Sequence, residues 1–183
     1  SSYFMYIIEK NTKYSHMPHR PAAFPAYPAL QHINISGGIY MDEQTRKLLE
    51  ECCVGCRMAV ESFEQIKEYV KDTEFRKLIN DYTEKHRQLE DEAVSHLKEA
   101  GIEAKSPGIM ASAMSWFTTE MKLTFNSDNL QIARLLIDGC TMGIKTLGGK
   151  ANQYDKADKK AADLAQKIIR TEEDLLKKLK DFL

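Results

Sequence analysis

The chain carries almost no excess charge of either sign, with 26 Lys and Arg residues against 27 Asp and Glu residues and a formal net charge of −1. Proteins that bind nucleic acid or an anionic membrane surface usually show a basic excess. The chain also lacks an apolar run that approaches the roughly 18 residues a membrane span requires. Neither nucleic acid nor a membrane is therefore expected as a partner.

Cysteine is too sparse and too unevenly placed for a secreted disulfide framework. The chain has four cysteines, and three of them fall within five residues of one another. Small secreted domains use more numerous and more evenly spaced cysteines. The stretch YFMYII near the beginning is too short for the apolar core of a signal peptide and has no basic residues before it. We therefore expect a reducing, cytoplasmic location.

Proline is almost confined to the beginning of the chain. Residues 1–40 hold four of the five prolines and only four charged residues. Proline removes a backbone donor and biases the preceding residue towards extended geometry, so this part is predicted to be an extended Pro-rich and aromatic arm or leader. Met41 is a plausible start for the second part, residues 41–183, which is predicted to be one helical domain.

The second part shows no strand-type alternation of apolar and polar residues. Apolar residues recur instead at spacings of three and four, which is typical of amphipathic helices. This pattern predicts an all-α fold, a bundle of four long helices with a short extra helix around ASAMSWFTTEMKLTF in the crossover. The predicted inward positions are Leu49, Cys52, Cys56, Ala59, Phe63, Ile66 and Val70; Phe75, Ile79, Tyr82, His86, Leu89, Ala93 and Leu97; Ala133, Leu136, Cys140, Gly143, Leu147, Ala151 and Tyr154; and Leu164, Ile168, Thr171, Leu175, Leu179 and Phe182.

Several residues are predicted to mark the helix ends. Asp72 or Thr73 is expected to cap the second long helix, and Ser127 the third, because a short polar side chain can accept a hydrogen bond from the first turn. Gly101 is expected to end the second long helix in a left-handed conformation.

Two Gly-Cys pairs, Gly55-Cys56 and Gly139-Cys140, lie 84 residues apart in the middle of predicted helices. The same offset maps three further inward positions, Leu49, Phe63 and Val70, onto Ala133, Leu147 and Tyr154. We therefore interpret these two helices as equivalent elements of two helical hairpins packed on each other. Glycine inside a helix costs about 0.5–1 kcal/mol relative to alanine. We therefore expect Gly55 and Gly139, together with Gly143, to let two helix backbones approach closely.

These features, with the stretch TEKHRQLEDEAVSHLKEAG, make residues 42–183 resemble the ferritin-like, rubrerythrin-like superfamily, and most nearly a small bacterial family of ferritin-like domains of unassigned function. The resemblance implies an antiparallel four-helix bundle made of two hairpins. It also implies where a metal would bind. In metal-binding members, the first helix of each hairpin supplies a Glu after the glycine, the second supplies Glu-x-x-His, and these residues hold two irons.

The sequence departs from that ligand pattern. Cysteine stands after both glycines, and the Glu-x-x-His positions read TEKH at 83–86 and TEED at 171–174. Of the six usual ligands only His86 matches in kind, although Asp174 could still coordinate. A di-iron carboxylate oxidase is therefore not expected.

Two functions remain open. The first is a non-catalytic, ferritin-like bundle that acts as a structural or oligomerising protein, with a degenerate di-iron site and no cofactor. Its arm, residues 1–40, would join chains in a homo-oligomer or a larger assembly, because extended Pro-rich chain has little conformational entropy left to lose.

The second function is a metal-binding protein that holds Zn, Fe or Cu through inward cysteine and histidine. Its ligands would be Cys56, Cys140 and His86, with Cys52, Asp174 or water as the fourth. The ordinary role of buried free cysteine, as a small apolar filler, also stays open.

The spacing Cys53-x-x-Cys56 is that of thiol redox motifs. It lies about three turns into the predicted helix, however, where the dipole that lowers a thiol pKa at a helix N-terminus has faded. A thiol redox function is therefore less favoured than the other two.

Overall fold

The computed structural model describes residues 41–104 and 128–183. Over these two ranges the chain is helical and contains no β-strand, so the predicted all-α class is confirmed. The arm of residues 1–40 and the short helix predicted around residues 111–125 lie outside the described residues. The described helices are α1 (Glu43–Ile66), α2 (Thr73–Glu99), α3 (Asn129–Gln153), α4 (Lys159–Leu179) and a final 3₁₀ turn (Lys180–Phe182).

An aspartate directly precedes each of the four long helices. The carboxylates of Asp42, Asp72, Asp128 and Asp158 accept hydrogen bonds from backbone N–H groups of the first turn. An anionic acceptor at this position satisfies donors that have no partner within the helix, and it also interacts favourably with the helix dipole. The Asp72 cap confirms the prediction for α2. The prediction of Ser127 for α3 is wrong, because Asp128 occupies the capping position.

The four helices form two hairpins, since α1 packs along α2 and α3 packs along α4. In the first hairpin, Arg57 lies 2.7 Å from Glu90, and Arg87 lies 2.7 Å from Glu64. Residue numbers increase along α1 while those of the contacting residues in α2 decrease, so the two helices are antiparallel. After α2, Gly101 adopts the predicted left-handed conformation, with a φ of +73°.

The hairpins dock with α1 against both α3 and α4, and with α2 against α4. Thr45 lies at this junction and is buried. Its hydroxyl donates to the Asp42 carboxylate, the cap of α1, and accepts a 2.7 Å hydrogen bond from the backbone N–H of Asp158, the cap of α4. One side chain therefore connects the first turn of α1 to the turn that precedes α4.

The directions of the helices define the path of the chain between the hairpins. Further along α1 from Thr45, Glu51 lies 2.8 Å from Lys150 of α3, which makes α1 antiparallel to α3. Because α1 is antiparallel to both α2 and α3, those two helices run in the same direction. The end of α2 and the beginning of α3 therefore lie at opposite ends of the bundle.

The core consists of two clusters of apolar side chains, and most of the predicted inward positions are confirmed. All seven predicted positions of α2 are buried. None of the helices in residues 41–104 and 128–183 is long and apolar enough to cross a membrane. The predicted positions that are only partly buried are Ala59, Gly143, Ala151, Tyr154, Thr171 and Phe182.

The glycines of the two Gly-Cys pairs do not mark a close approach of helices. A Cβ placed on Gly55 or Gly139 would meet no atom within 4 Å, so the expectation for these two positions is wrong. The physical reason is the helical period, because the residue before an inward cysteine is rotated by about 100° away from the core. Gly143 differs, since an added Cβ there would lie 3.8 Å from the Glu172 Oε1 atom, which is an ordinary contact.

Candidate functional site

His86 lies in the middle of α2 and is completely buried. Its Nδ1 atom is 2.7 Å from the carbonyl oxygen of Tyr82, and its Nε2 atom is 2.8 Å from Glu172 Oε1 on α4. A carbonyl oxygen can only accept a hydrogen bond, so Nδ1 must carry a proton and donate it. Both nitrogens of the ring are therefore held by partners.

The contact between His86 and Glu172 has to contain a single proton. With Nδ1 protonated, the pair is either an imidazolium beside a carboxylate or a neutral imidazole beside a carboxylic acid. The pair as a whole is neutral in both forms. This neutrality is important in a buried site, because an unpaired charge there would be far more costly than a hydrogen-bonded pair.

Glu172 has a second neighbour in the core. Its side chain is only 11% exposed, and it lies beside the thiol of Cys140 on α3. Burial, reinforced by the negative charge of Glu172, raises the pKa of Cys140 well above its usual range. The carboxylate on α4 thus binds a side chain of α2 and lies next to one of α3.

The first helix completes this arrangement. The ring of Phe63 meets the His86 ring edge to face, with centroids 5.3 Å apart. Cys56 is buried, and burial raises its pKa well above its usual range. We call Cys56, His86, Cys140 and Glu172 the core polar cluster.

The remaining two cysteines lie in apolar surroundings beside this cluster. Cys52 and Cys53 are buried and belong to the same hydrophobic cluster as Cys56. Burial raises the pKa of the Cys53 thiol to about 11 and also raises that of Cys52. All four cysteines are free. Because the thiolate is the form that attacks substrates and binds metals, protonated thiols of this kind are poorly suited to either role.

Asp174 lies apart from the cluster. It was a candidate ligand at the position matching His86, but its side chain is 48% exposed. Its carboxylate accepts a hydrogen bond from the Tyr82 hydroxyl and lies 3.1 Å from Lys178 Nζ. These two contacts lower the pKa of Asp174, and neither involves His86.

The two threonines at the glutamate positions of the motif bond within their own helices. The hydroxyl of Thr83 donates to the Ile79 carbonyl oxygen at 2.8 Å, and that of Thr171 donates to the Lys167 carbonyl oxygen at 2.9 Å. Neither side chain supplies an acceptor to the core polar cluster.

The donor set does not fit a pair of iron ions. Such a site needs several carboxylates around the metals, whereas the core polar cluster contains one carboxylate, one imidazole and two protonated thiols. Over residues 41–104 and 128–183, no three or more His, Cys, Asp and Glu side chains are arranged to hold a metal ion. In the same residues, no buried side-chain nitrogen or oxygen lacks a hydrogen-bond partner. Of the five predicted ligands, Cys56, Cys140 and His86 belong to the cluster, while Cys52 and Asp174 do not.

Glu172 is the residue that the sequence interpretation missed, and its helical position was a usable signal. It lies four residues after Ile168 and three before Leu175, both of them buried, so the helical period places it inward. The motif alignment instead favoured Thr171 and Asp174, the neighbours on either side of the Glu172-Glu173 pair.

Comparisons of this chain with protein-family models, with curated proteins and with solved structures each found no match. The ferritin-like assignment therefore depends on the resemblance described above and is a proposal.

Proposed function

We propose that this protein is a non-catalytic, ferritin-like bundle that acts as a structural and oligomerising protein, with a hydrogen-bonded His–Glu pair in place of a di-iron site. The observation that carries the proposal is that both ring nitrogens of His86 already have hydrogen-bond partners. The nitrogen that would face a metal, Nε2, is 2.8 Å from Glu172, and the other nitrogen is bonded to the Tyr82 carbonyl oxygen. The ring has no free lone pair to offer.

The path of the chain supports the ferritin-like part of this proposal. Because α2 and α3 are parallel, the end of α2 and the beginning of α3 lie at opposite ends of the bundle, which calls for one long crossover. Among four-helix bundles, a single long crossover of this kind is the ferritin-like connectivity, whereas up-and-down bundles use only short loops.

The chemistry of the cluster supports a non-catalytic role. A catalytic metal needs a coordination position open to substrate, and a catalytic thiol needs a lowered pKa and some exposure. His86 is completely buried, and burial raises the pKa of both Cys56 and Cys140. The cluster is thus better suited to holding four helices in register than to reacting with a ligand.

In this proposal, residues 1–40 form the contact between chains. Their composition supports this role, since proline restricts the free chain and aromatic side chains provide large contact areas at protein interfaces. The aromatic residues concerned are Tyr3, Phe4, Tyr6, Phe24 and Tyr27.

The oligomeric role is tested with the full chain, by light scattering after size-exclusion chromatography. We expect the unchanged chain to be an oligomer, and the double variant Phe24→Ser, Tyr27→Ser to have a lower mass at equal helical content. Leu183→Ser, which removes an exposed apolar side chain, serves as the control and should leave the mass unchanged. A monomeric unchanged chain would refute the oligomeric role.

The proposal that a His86–Glu172 hydrogen bond replaces the metal site is tested separately, by metal analysis of untagged protein purified without oxygen. We expect no bound zinc, iron or copper, and four titratable thiols after unfolding. About one equivalent of metal, with cysteines protected from labelling, would refute a closed His–Glu pair.

A metal-binding protein is the alternative function. It is supported by the position of Glu172, which brings two predicted ligands, Cys140 and His86, to the same carboxylate. Binding would require Glu172 to release His86 and the thiols of Cys56 and Cys140 to lose their protons. Replacing both cysteines by serine should then abolish metal binding while the helical content is kept.

A further inference from the structure

A surface groove of about 530 Å³ runs between α2 and α4. It lies on the outer side of the turns whose inner side carries His86 and Glu172. Three cationic residues line it, Lys85 from α2 and Lys167 and Arg170 from α4, and Leu89 adds an apolar surface. A volume of this size is sufficient for a small-molecule ligand.

The two carboxylates of the groove are already neutralised by cations outside it. Asp174 lies 3.1 Å from Lys178 Nζ, and Asp163 forms an ion pair with Lys159. Neither lysine lines the groove. The two carboxylates therefore repel an incoming anion less strongly than unpaired carboxylates would.

The three cations differ in how far they are engaged. Lys167 Nζ lies 2.7 Å from Glu92, which is a close ion pair. Lys85 Nζ lies 4.0 Å from Asp174, at the limit of an ion pair. Arg170 is exposed and has no hydrogen-bond or ion-pair partner among the described residues.

The lack of a partner for Arg170 contrasts with most arginines in residues 41–104 and 128–183. Arg46, Arg57 and Arg87 pair with glutamates, and Arg76 donates to the Val70 carbonyl oxygen. Apart from Arg170, only Arg134 on α3 has no such partner within these ranges, and it lies outside the groove.

We propose that this groove binds the oxyanion group of a small molecule, a phosphate or a carboxylate. The guanidinium of Arg170 offers a planar set of donors that can bind two oxygens at once, and Lys85 adds a second positive charge from the facing helix. The amide of Gln88 also lines the groove and can contribute a donor. The two helices thus hold cationic donors on both sides of one space.

The proposal is tested on the full chain by isothermal titration with two probes, inorganic pyrophosphate and citrate, at low salt in a buffer without phosphate. The variant Arg170→Gln should weaken binding about tenfold, the loss expected for a charge-assisted hydrogen bond. Arg134→Gln is the matched control, because it removes another exposed arginine that has no partner among the described residues. It should change the affinity less than about twofold.

The outcomes separate the two kinds of ligand and decide the proposal. Tighter binding of pyrophosphate would assign a phosphate-bearing ligand, and tighter binding of citrate a carboxylate-bearing one. No heat from either probe up to about 10 mM, which corresponds to very weak affinity, would overturn the proposal. Equal losses in both arginine variants would also overturn it, because they would indicate only general attraction of anions. The inference does not depend on the proposed oligomeric role.

Discussion

His86 and Glu172, 86 residues apart in the chain, meet in the core with 2.8 Å between Nε2 and Oε1. The Tyr82 carbonyl oxygen fixes the proton on the opposite ring nitrogen, so the contact depends on the one proton that the two side chains share. Any change that removes either side chain leaves the other buried without its partner.

Replacement of Glu172 by alanine should lower the free energy of unfolding by about 2–4 kcal/mol, because it leaves His86 Nε2 unpaired in the core. Urea unfolding followed by circular dichroism measures this loss. Glu173→Ala removes an exposed carboxylate from the same turn and should change the stability by less than about 0.5 kcal/mol. Equal effects of the two changes would show that the His–Glu contact does not stabilise the fold.

Replacement of Thr45 by valine should cost about 1–3 kcal/mol of stability, because the hydroxyl connects the cap of α1 to the backbone of Asp158. Thermal unfolding of the purified variant measures the loss. Thr45→Ser keeps the hydroxyl and loses only a methyl group, so it should cost less than valine. If serine were the more harmful substitution, packing and not hydrogen bonding would explain the burial of Thr45.

Asp42 should make the stability depend on pH in the acid range. Hydrogen bonds from the Thr45 hydroxyl and from backbone N–H groups lower the pKa of Asp42 below its ordinary value of 3.8. A folded-state pKa below the unfolded one gives a contribution that is complete above the unfolded value and lost as the pH falls through the folded value.

The corresponding measurement is the free energy of unfolding at several values between about pH 6 and pH 3. Asp42→Asn keeps a capping acceptor but cannot titrate, so the advantage of the unchanged chain over this variant should shrink below about pH 4. A difference that stays constant over the whole range would contradict the role assigned to the Asp42 carboxylate.

The native thiols should react slowly with a disulfide reagent at pH 8. Burial raises the pKa of Cys53 to about 11 and raises the pKa values of the other three cysteines, so very little thiolate is present. We expect four thiols to react at once in denaturant and fewer than one in the first minutes under native conditions. Rapid labelling of the folded protein would show that a cysteine is exposed and ionised.

Alanine should stabilise the chain at Gly55 and at Gly139, by about 0.5–1 kcal/mol each. Both positions are helical, and an added Cβ would meet no atom within 4 Å. Gly101→Ala is the opposite case, because its φ of +73° is strained for any side chain, and it should destabilise by about 1 kcal/mol. Chemical unfolding of the three variants measures both signs. Destabilisation at Gly55 or Gly139 would indicate that a further surface packs there.

The extent to which the sequence predicts the structure differs between helices. In α2 every predicted inward position is buried, since its apolar residues repeat regularly and its outer face is strongly charged. In α4 the same period applies, but the inward position holds Glu172. Charged residues are rarely buried unless they are paired, and the partner of this one lies on another hairpin. The helical period places Glu172 inward, but its partner is supplied by the docking of the hairpins, which no local pattern reveals.

The Gly-Cys pairs show a second limit of prediction. Their repeat predicted two cysteines in the core, and both Cys56 and Cys140 are buried. It did not indicate the role of the glycines. Sequence alone cannot distinguish a glycine required for close packing from one that faces open space, because the distinction depends on what lies beside it.

We also expect the lengths of the connections to decide which parts of the bundle form early in folding and which form late. Each hairpin closes only a short loop, at residues 67–72 or 154–158, whereas the contact of His86 with Glu172 spans 86 positions. Closing a longer loop costs more chain entropy, and non-local contacts form later in folding. We therefore expect the hairpins to form first, as local folding units. The core polar cluster, which takes side chains from all four helices, comes together only when these units dock.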